Sequence, residues 1–253
     1  MVEVSAVTLV SLAAGFVNSI AGGGGLVSLP LLLGLFPAAP PATLFGTNKA
    51  AMVWGTGWAA AVYARRVRLP WATLVPALVA AAAGGVVGAR LVTLVSPDWL
   101  RRLLPALLAV VLVVVVRQPG LGSVHAPRHP GRREAVLATA AAALLGLYDG
   151  FFGPGTGSFF IFFFVRVLGF DFLHALACSK LLNAATNLGS LASFGWSGNV
   201  WWHFMLPMAL ANVVGSAAGA RLAMKHGSPF IRGVFIAVVG GLILKAGYDG
   251  SWR

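Results

Sequence analysis

The chain has 253 residues, 58% of them hydrophobic, a mean hydropathy of +0.88 and only 18 basic and 6 acidic side chains, 9% of the total. Soluble domains carry about 25% charge, whereas the 45 uncharged residues between Glu3 and Lys49 and the 40 between Lys180 and Arg221 far exceed the roughly 20 that cross a bilayer. The composition excludes soluble, disordered, secreted disulfide-rich and DNA-binding classes, and it predicts an all-α polytopic membrane protein.

Breaking the apolar runs at charged, Pro- or Gly-marked gaps predicts eight hydrophobic segments. They lie near 5–36, 42–64, 71–95 and 99–117, then, after a polar stretch, at 135–165, 172–194, 202–223 and 229–248. The expected organisation is a first transmembrane repeat (1–117), a polar linker (118–134) and a second transmembrane repeat (135–253). Glu3 stands where a signal peptide would carry a basic n-region, and the first run does not stop at a cleavage site, so that run is expected to stay in the membrane.

The net charge of +12 has an ordinary source, because the basic residues cluster in gaps, as with Arg65, Arg66 and Arg68, or Arg128, Arg132 and Arg133. Cytoplasmic loops carry excess Lys and Arg, so orientation accounts for the charge and no nucleic-acid partner is expected. Cys178 is the single cysteine, which excludes an intrachain disulfide and a cysteine metal cluster.

One ungapped shift of 131 residues aligns the two halves. It pairs Gly15 with Gly146, Gly22 with Gly153, Gly24 with Gly155, Lys49 with Lys180, Trp71 with Trp202 and Pro76 with Pro207. It also superposes Gly88-Ala89-Arg90-Leu91 on Gly219-Ala220-Arg221-Leu222. Ala and Gly matches are cheap in so biased a composition, but Lys, Trp and Pro are rare here and keep the same register. The chain is read as two homologous halves.

The first segment of each half is broken by glycines, Gly22 to Gly25 in one and Gly153-Pro154-Gly155-Thr156-Gly157 in the other. Duplicated membrane proteins with broken equivalent helices are typically secondary transporters with a site near the bilayer midplane. Unwound backbone in hydrocarbon leaves polar groups unsatisfied, so it persists only beside a cavity or packed in protein. Close helix packing through small residues explains Gly84, Gly88, Gly215 and Gly219, but not four consecutive glycines or a proline between two glycines.

If each broken run is a re-entrant hairpin, Arg166, Arg221, Lys225 and Arg232 join the side that holds Arg65 to Arg68 and the linker. If each crosses once, those four fall opposite and the bias vanishes. The count favours inverted over parallel repeats.

Lys49 lies seven residues into its segment and Lys180 nine into its own, neither beside a basic cluster. A central lysine costs about 2.5–3.5 kcal/mol on insertion scales. Snorkelling to an interface would explain one of them, but two at repeat-equivalent positions point to a shared site. Asp149 precedes the second break, and its repeat partner is the neutral Asn18. Lys180 or Arg221 is its expected cation, and Lys49 then has no matching acid. The buried charges sum to positive, which suits an anion, as do the N–H groups of helices restarting after Gly25 and Gly157.

On the segment after 172, Lys180, Asn183, Asn187 and Ser190 form one polar stripe, with a sparser counterpart in Asn48, Lys49 and Thr56. Such stripes usually serve interhelical hydrogen bonding. The sequence lacks Gly-Lys-Ser/Thr, so no nucleotide-driven pump is expected. The five histidines show no metal-ligand spacing, and Ser158 lacks the Gly-x-Ser-x-Gly arrangement of a serine hydrolase. No catalytic residues, metal or cofactor are expected.

The stretch Gly15 to Pro30, GFVNSIAGGGGLVSLP, followed by Gly46-Thr47-Asn48-Lys49-Ala50, resembles the signature of the sulfite exporter (TauE/SafE) family. Its echo, Gly150 to Phe159 with Ser179, Lys180, Leu181 and Asn183, is similar to the family's second half. The resemblance implies a multi-pass permease of the bacterial inner membrane that moves small anions such as sulfite or organosulfonates.

The expected function is secondary transport of sulfite, an organosulfonate or a small carboxylate, without enzymatic turnover; an anion-conducting channel is the alternative. The expected site lies between the breaks, with Lys49 and Lys180 giving charge and Gly23, Gly24, Gly25, Gly155, Thr156 and Gly157 giving backbone donors. Asn18, Asn48, Ser179 and Asn183 are expected to hydrogen-bond the ligand, and Asp149 to couple transport to H+. The other expected partner is the lipid bilayer, with homo-oligomerisation left open.

Overall fold

The structure, a computed structural model, describes residues 2–96, 99, 126–129 and 131–251. The expected segment at 99–117 and most of the linker lie outside the described residues. Eight helices are described: α1 (Val2–Ala21), α2 (Gly24–Leu35), α3 (Pro41–Ala64), α4 (Trp71–Leu94), α5 (Arg132–Phe151), α6 (Thr156–Arg166), α7 (Phe172–Trp196) and α8 (Trp202–Ser251). The last is broken at Gly227, whose φ of 67° and ψ of −162° separate two helical pieces.

Local chemistry sets these boundaries. Pro41 occupies the first turn of α3, where its missing N–H costs nothing. Asp171 caps α7, its carboxylate accepting from the N–H groups of Leu173 and His174. Helix α5 begins at Arg132, inside the stretch read as linker, with Glu134 in its first turn accepting from the Thr73 hydroxyl at 2.8 Å.

Both broken segments turn back on themselves. Helix α1 ends at Ala21, Gly22 adopts φ +76°, and α2 starts at Gly24. A Cβ on Gly24 would face the Ala14 carbonyl oxygen at 2.8 Å, so α2 runs back beside α1. In the other half Gly153 and Gly155 have φ of +94° and +79°, and the Phe159 ring returns to within 5.5 Å of Tyr148. Left-handed backbone of this kind favours glycine.

Glycine also sets the helix contacts. On α1 and α8, a Cβ at Gly15 would strike the Asn212 carbonyl, one at Gly215 that of Leu12, and one at Gly219 that of Phe16. On α5 and α4, Gly146 meets Ala81, Gly84 meets Ala143 and Gly88 meets Leu147 in the same manner. Each contact in the second set carries the numbers of the first shifted by 131. Small residues at these points let backbones approach closely, the usual means of helix association in lipid.

The solvent this bundle suits is hydrocarbon. Leu94, Leu144, Val79 and Leu210 are exposed, while Asn18, Lys49, Asp149, Lys180, Asn187 and Ser190 are buried. The segments Glu3–Ala21, Trp71–Leu94, Arg132–Phe151 and Trp202–Gly227 are long and apolar enough to cross a membrane. Helices α3 and α7, 24 and 25 residues long, reach about 36 Å, but they carry the polar stripes that line the interior. The fold is an all-α polytopic bundle.

Candidate functional site

The two breaks meet at the centre of the bundle. A Cβ on Gly22 would press on the Gly157 carbonyl carbon and lie 2.6 Å from the Ser158 nitrogen. Beside this contact the Ser158 hydroxyl donates to the Ala21 carbonyl (2.9 Å), and the Ser179 hydroxyl to that of Gly157 (2.8 Å). Adjacent to it is a cavity of about 10 Å³, room for the centre of about one water molecule.

Asn18, Gly25, Asn48, Lys49, Asp149 and Asn183, all expected site residues, line this cavity. Gly22, Met52, Gly153 and Asn187 line it too. The other expected residues do not: Gly24 packs on Asn18 and Met52, Gly157 on Gly22, and Thr156 donates to the Gly153 carbonyl. Gly23, Gly155, Ser179 and Lys180 also stand outside the lining.

The charges are arranged crosswise. Lys49 Nζ lies 2.5 Å from Asp149 Oδ2, so the acid's partner is neither Lys180 nor Arg221, and Lys49 has an acid after all. Arg221 is exposed, whereas Asp149 is buried. Matching acid to base within one half was the error, because the pair forms between halves. Lys180 Nζ donates to the Asn18 carbonyl oxygen at 2.5 Å and lies 3.4 Å from Asn18 Oδ1. Each lysine therefore meets, in the opposite half, the position where the 131-residue register places Asn18 or Asp149.

The Asn18 carbonyl also accepts from the Gly22 N–H at 2.9 Å, so Lys180 sits at the C-terminal end of α1, where the helix dipole favours a cation. Among the described residues two ammonium groups face one carboxylate here, and Lys180, wholly buried, is held only by oxygens of the uncharged Asn18.

Thr56 and Asn187, repeat equivalents, touch directly: Asn187 Nδ2 lies 3.4 Å from Thr56 Oγ1, which also accepts from Asn18 Nδ2 at 3.0 Å. Two buried atoms of residues that line the cavity, Asn48 Oδ1 and Asn183 Nδ2, have no hydrogen-bond partner among the described residues. Thr186, which donates to Asp149 Oδ2 at 2.5 Å, escaped the sequence reading. Its signal was present, one helical turn beyond Asn183 on the stripe. Met52 escaped because it is apolar, although the register pairs it with Asn183.

A helical membrane bundle with two glycine-broken segments and a buried ion pair between its halves has the pattern of membrane transporters. The sequence profile of the family "Sulfite exporter TauE/SafE" matches residues 7–246, and the chain belongs to that family. It is similar to "Probable membrane transporter protein ORF9" of Sinorhizobium sp, at 39% identity over 225 residues, 89% of this chain and 85% of the relative. "Probable membrane transporter protein YfcA" of Escherichia coli strain K12 is 34% identical over 240 residues, 95% and 88% of the two chains. A "Probable membrane transporter protein" of Haemophilus influenzae is 30% identical over 243 residues, 96% and 94%. No solved structure matches the chain significantly. The protein is a multi-pass transporter of the bacterial inner membrane, and not an enzyme.

Proposed function

We propose that this chain is a secondary transporter that binds a small anion, sulfite, an organosulfonate or a short carboxylate, between the two helix breaks near the membrane midplane. The observation that carries this reading is the surplus ammonium of Lys180, buried beside a Lys49–Asp149 pair that is already neutral. An anion completes the charge balance. Lys49 and Lys180 attract it, and the N–H groups at the starts of α2 (after Gly23, from Gly24 and Gly25) and α6 (after Gly155, from Thr156 and Gly157) add donors. Asn18, Asn48, Ser179 and Asn183 hydrogen-bond it, and Asp149 exchanges the coupling proton.

The cavity has room for about one water molecule, and each of these anions is larger than a water, so loading requires the two tips, Gly22 and Gly157, to part. That need for movement favours a carrier over the rival reading, an anion channel. Uptake into proteoliposomes separates them: a carrier saturates with anion concentration, whereas unitary currents in a planar bilayer would establish the channel.

The halves, 1–117 and 135–253 joined by 118–134, are read as inverted repeats. Two findings support this. Each broken segment turns back at its glycines, and Val67, Leu168 and Ala223 share one apolar cluster, which gathers the basic ends of α3, α6 and the first piece of α8. Arg128 of the linker donates to the Arg166 carbonyl at 2.8 Å on that same end. Cysteines placed at Arg166 and Lys225 should react with a membrane-impermeant maleimide from the cytoplasmic side; labelling from outside would refute the inverted arrangement.

A further inference from the structure

We propose that Thr186 is the positioning residue that lets Asp149 change its protonation state inside the closed bundle, an inference that rests on Asp149 being the coupling acid. The Thr186 hydroxyl is wholly buried. Its oxygen lies 2.5 Å from Asp149 Oδ2 and 3.0 Å from the carbonyl oxygen of Asn183, one turn back on α7. A hydroxyl has one hydrogen to donate and lone pairs to accept with, so these two neighbours define two arrangements.

With Asp149 ionised, Thr186 and Lys49 both donate to Oδ2. When a proton from the aqueous phase adds to Oδ2, that O–H donates to Thr186 Oγ1, and the threonine hydrogen turns to the Asn183 carbonyl. The carboxyl Oδ2 and the threonine hydroxyl each keep a hydrogen-bond partner in both states. Without the hydroxyl, the new carboxyl proton would face a site where an unpaired donor costs as much as a lost hydrogen bond.

The charge balance supports the same exchange. Ionised, the centre holds Lys49, Lys180 and Asp149, two positive and one negative. Protonation of Asp149 frees Lys49, whose Nζ lies beside Gly153 on the cavity wall. One monoanion then restores the original net charge, with the proton and the anion arriving together and leaving together.

The groups facing Asp149 are few. Lys49 comes from α3, and Lys180 on α7 is near enough to feel its charge. Tyr148 adjoins it on α5, its hydroxyl turned to the Pro154 carbonyl at 2.6 Å. Helix α4 meets this end of α5 through Gly85, Gly88 and Ala89, which cannot titrate. Among the described residues, Thr186 supplies the hydroxyl that hydrogen-bonds the carboxylate.

Infrared pH titration of the full-length protein in lipid bilayers tests this with protons as the only ligand. The protein should show a protonated-carboxyl C=O band that grows on acidification and is missing from Asp149→Asn. Thr186→Val should move that band to higher frequency and displace its titration midpoint by about one pH unit, tenfold in proton concentration. Thr186→Ser should restore both. Thr186→Ala, which also lacks the hydroxyl, replaces the valine variant if that one fails to insert, and must show the same displacement. A band and midpoint unchanged in the variants without the hydroxyl would overturn the role of Thr186 while leaving Asp149 as the coupling acid. If no Asp149-dependent band appears at any pH, the coupling reading itself falls, and this inference with it.

Discussion

Replacing Lys49 with Met is expected to destabilise the protein by about 3–5 kcal/mol, the usual consequence of leaving one member of a buried ion pair alone. The Asp149 carboxylate, 2% exposed, would keep only the Thr186 hydroxyl. Lys180 does not replace Lys49, because its Nζ is hydrogen-bonded to the Asn18 carbonyl oxygen. Removing the acid as well, in the double variant Lys49→Met with Asp149→Asn, should recover more than half of the loss, since two neutral partners no longer bury a charge. Thermal unfolding in detergent checks both. A single variant as stable as the parent protein would mean that Asp149 does not depend on Lys49.

Gly22→Ala is expected to have the second large effect. At φ +76° a Cβ costs about 1–3 kcal/mol in backbone strain. The same Cβ would press on the Gly157 backbone, where nothing flexible can yield, and overpacking adds a further ~1–3 kcal/mol. Separating the tips also pulls Ser158 from the Ala21 carbonyl. Gly57→Ala is the control, because Gly57 lies within α3 with nothing within 4 Å of its Cβ position. There alanine should gain about 1 kcal/mol from helix propensity. Equal unfolding temperatures for the two variants would show that the tips are not in contact.

Much of this molecule is legible in its sequence, and the reasons are physical. Long apolar runs can only be membrane segments, so α3 and α4 fall within a residue of their expected bounds. The breaks were legible because glycine is the residue that tolerates left-handed backbone, which Gly22, Gly153 and Gly155 adopt. Lys49, Lys180 and Asp149 stood out because charge in a bilayer is expensive.

What the sequence hid was partnership across the halves. Spacing along one helix reveals a stripe, but nothing in it says that Lys49 of α3 reaches Asp149 of α5 while Lys180 of α7 reaches Asn18 of α1. Thr186 was overlooked, although it adjoins the polar stripe, because a threonine in a membrane helix ordinarily bonds its own backbone, as Thr47 does to the Thr43 carbonyl. Its bond to a carboxylate became visible only in three dimensions.

The central claim is that Lys180 provides the charge for an anion site, and ligand-dependent thermal unfolding of the purified protein tests it most directly. Sulfite, sulfate, sulfoacetate, taurine and short carboxylates are each titrated against the parent protein and Lys180→Gln. A ligand that binds only the folded state adds about 2.7 kcal/mol at a hundred times its Kd. The account predicts that at least one of these anions raises the unfolding temperature of the parent protein in a saturable way and leaves Lys180→Gln unmoved. An equal rise in both, or no rise with any anion, would contradict it.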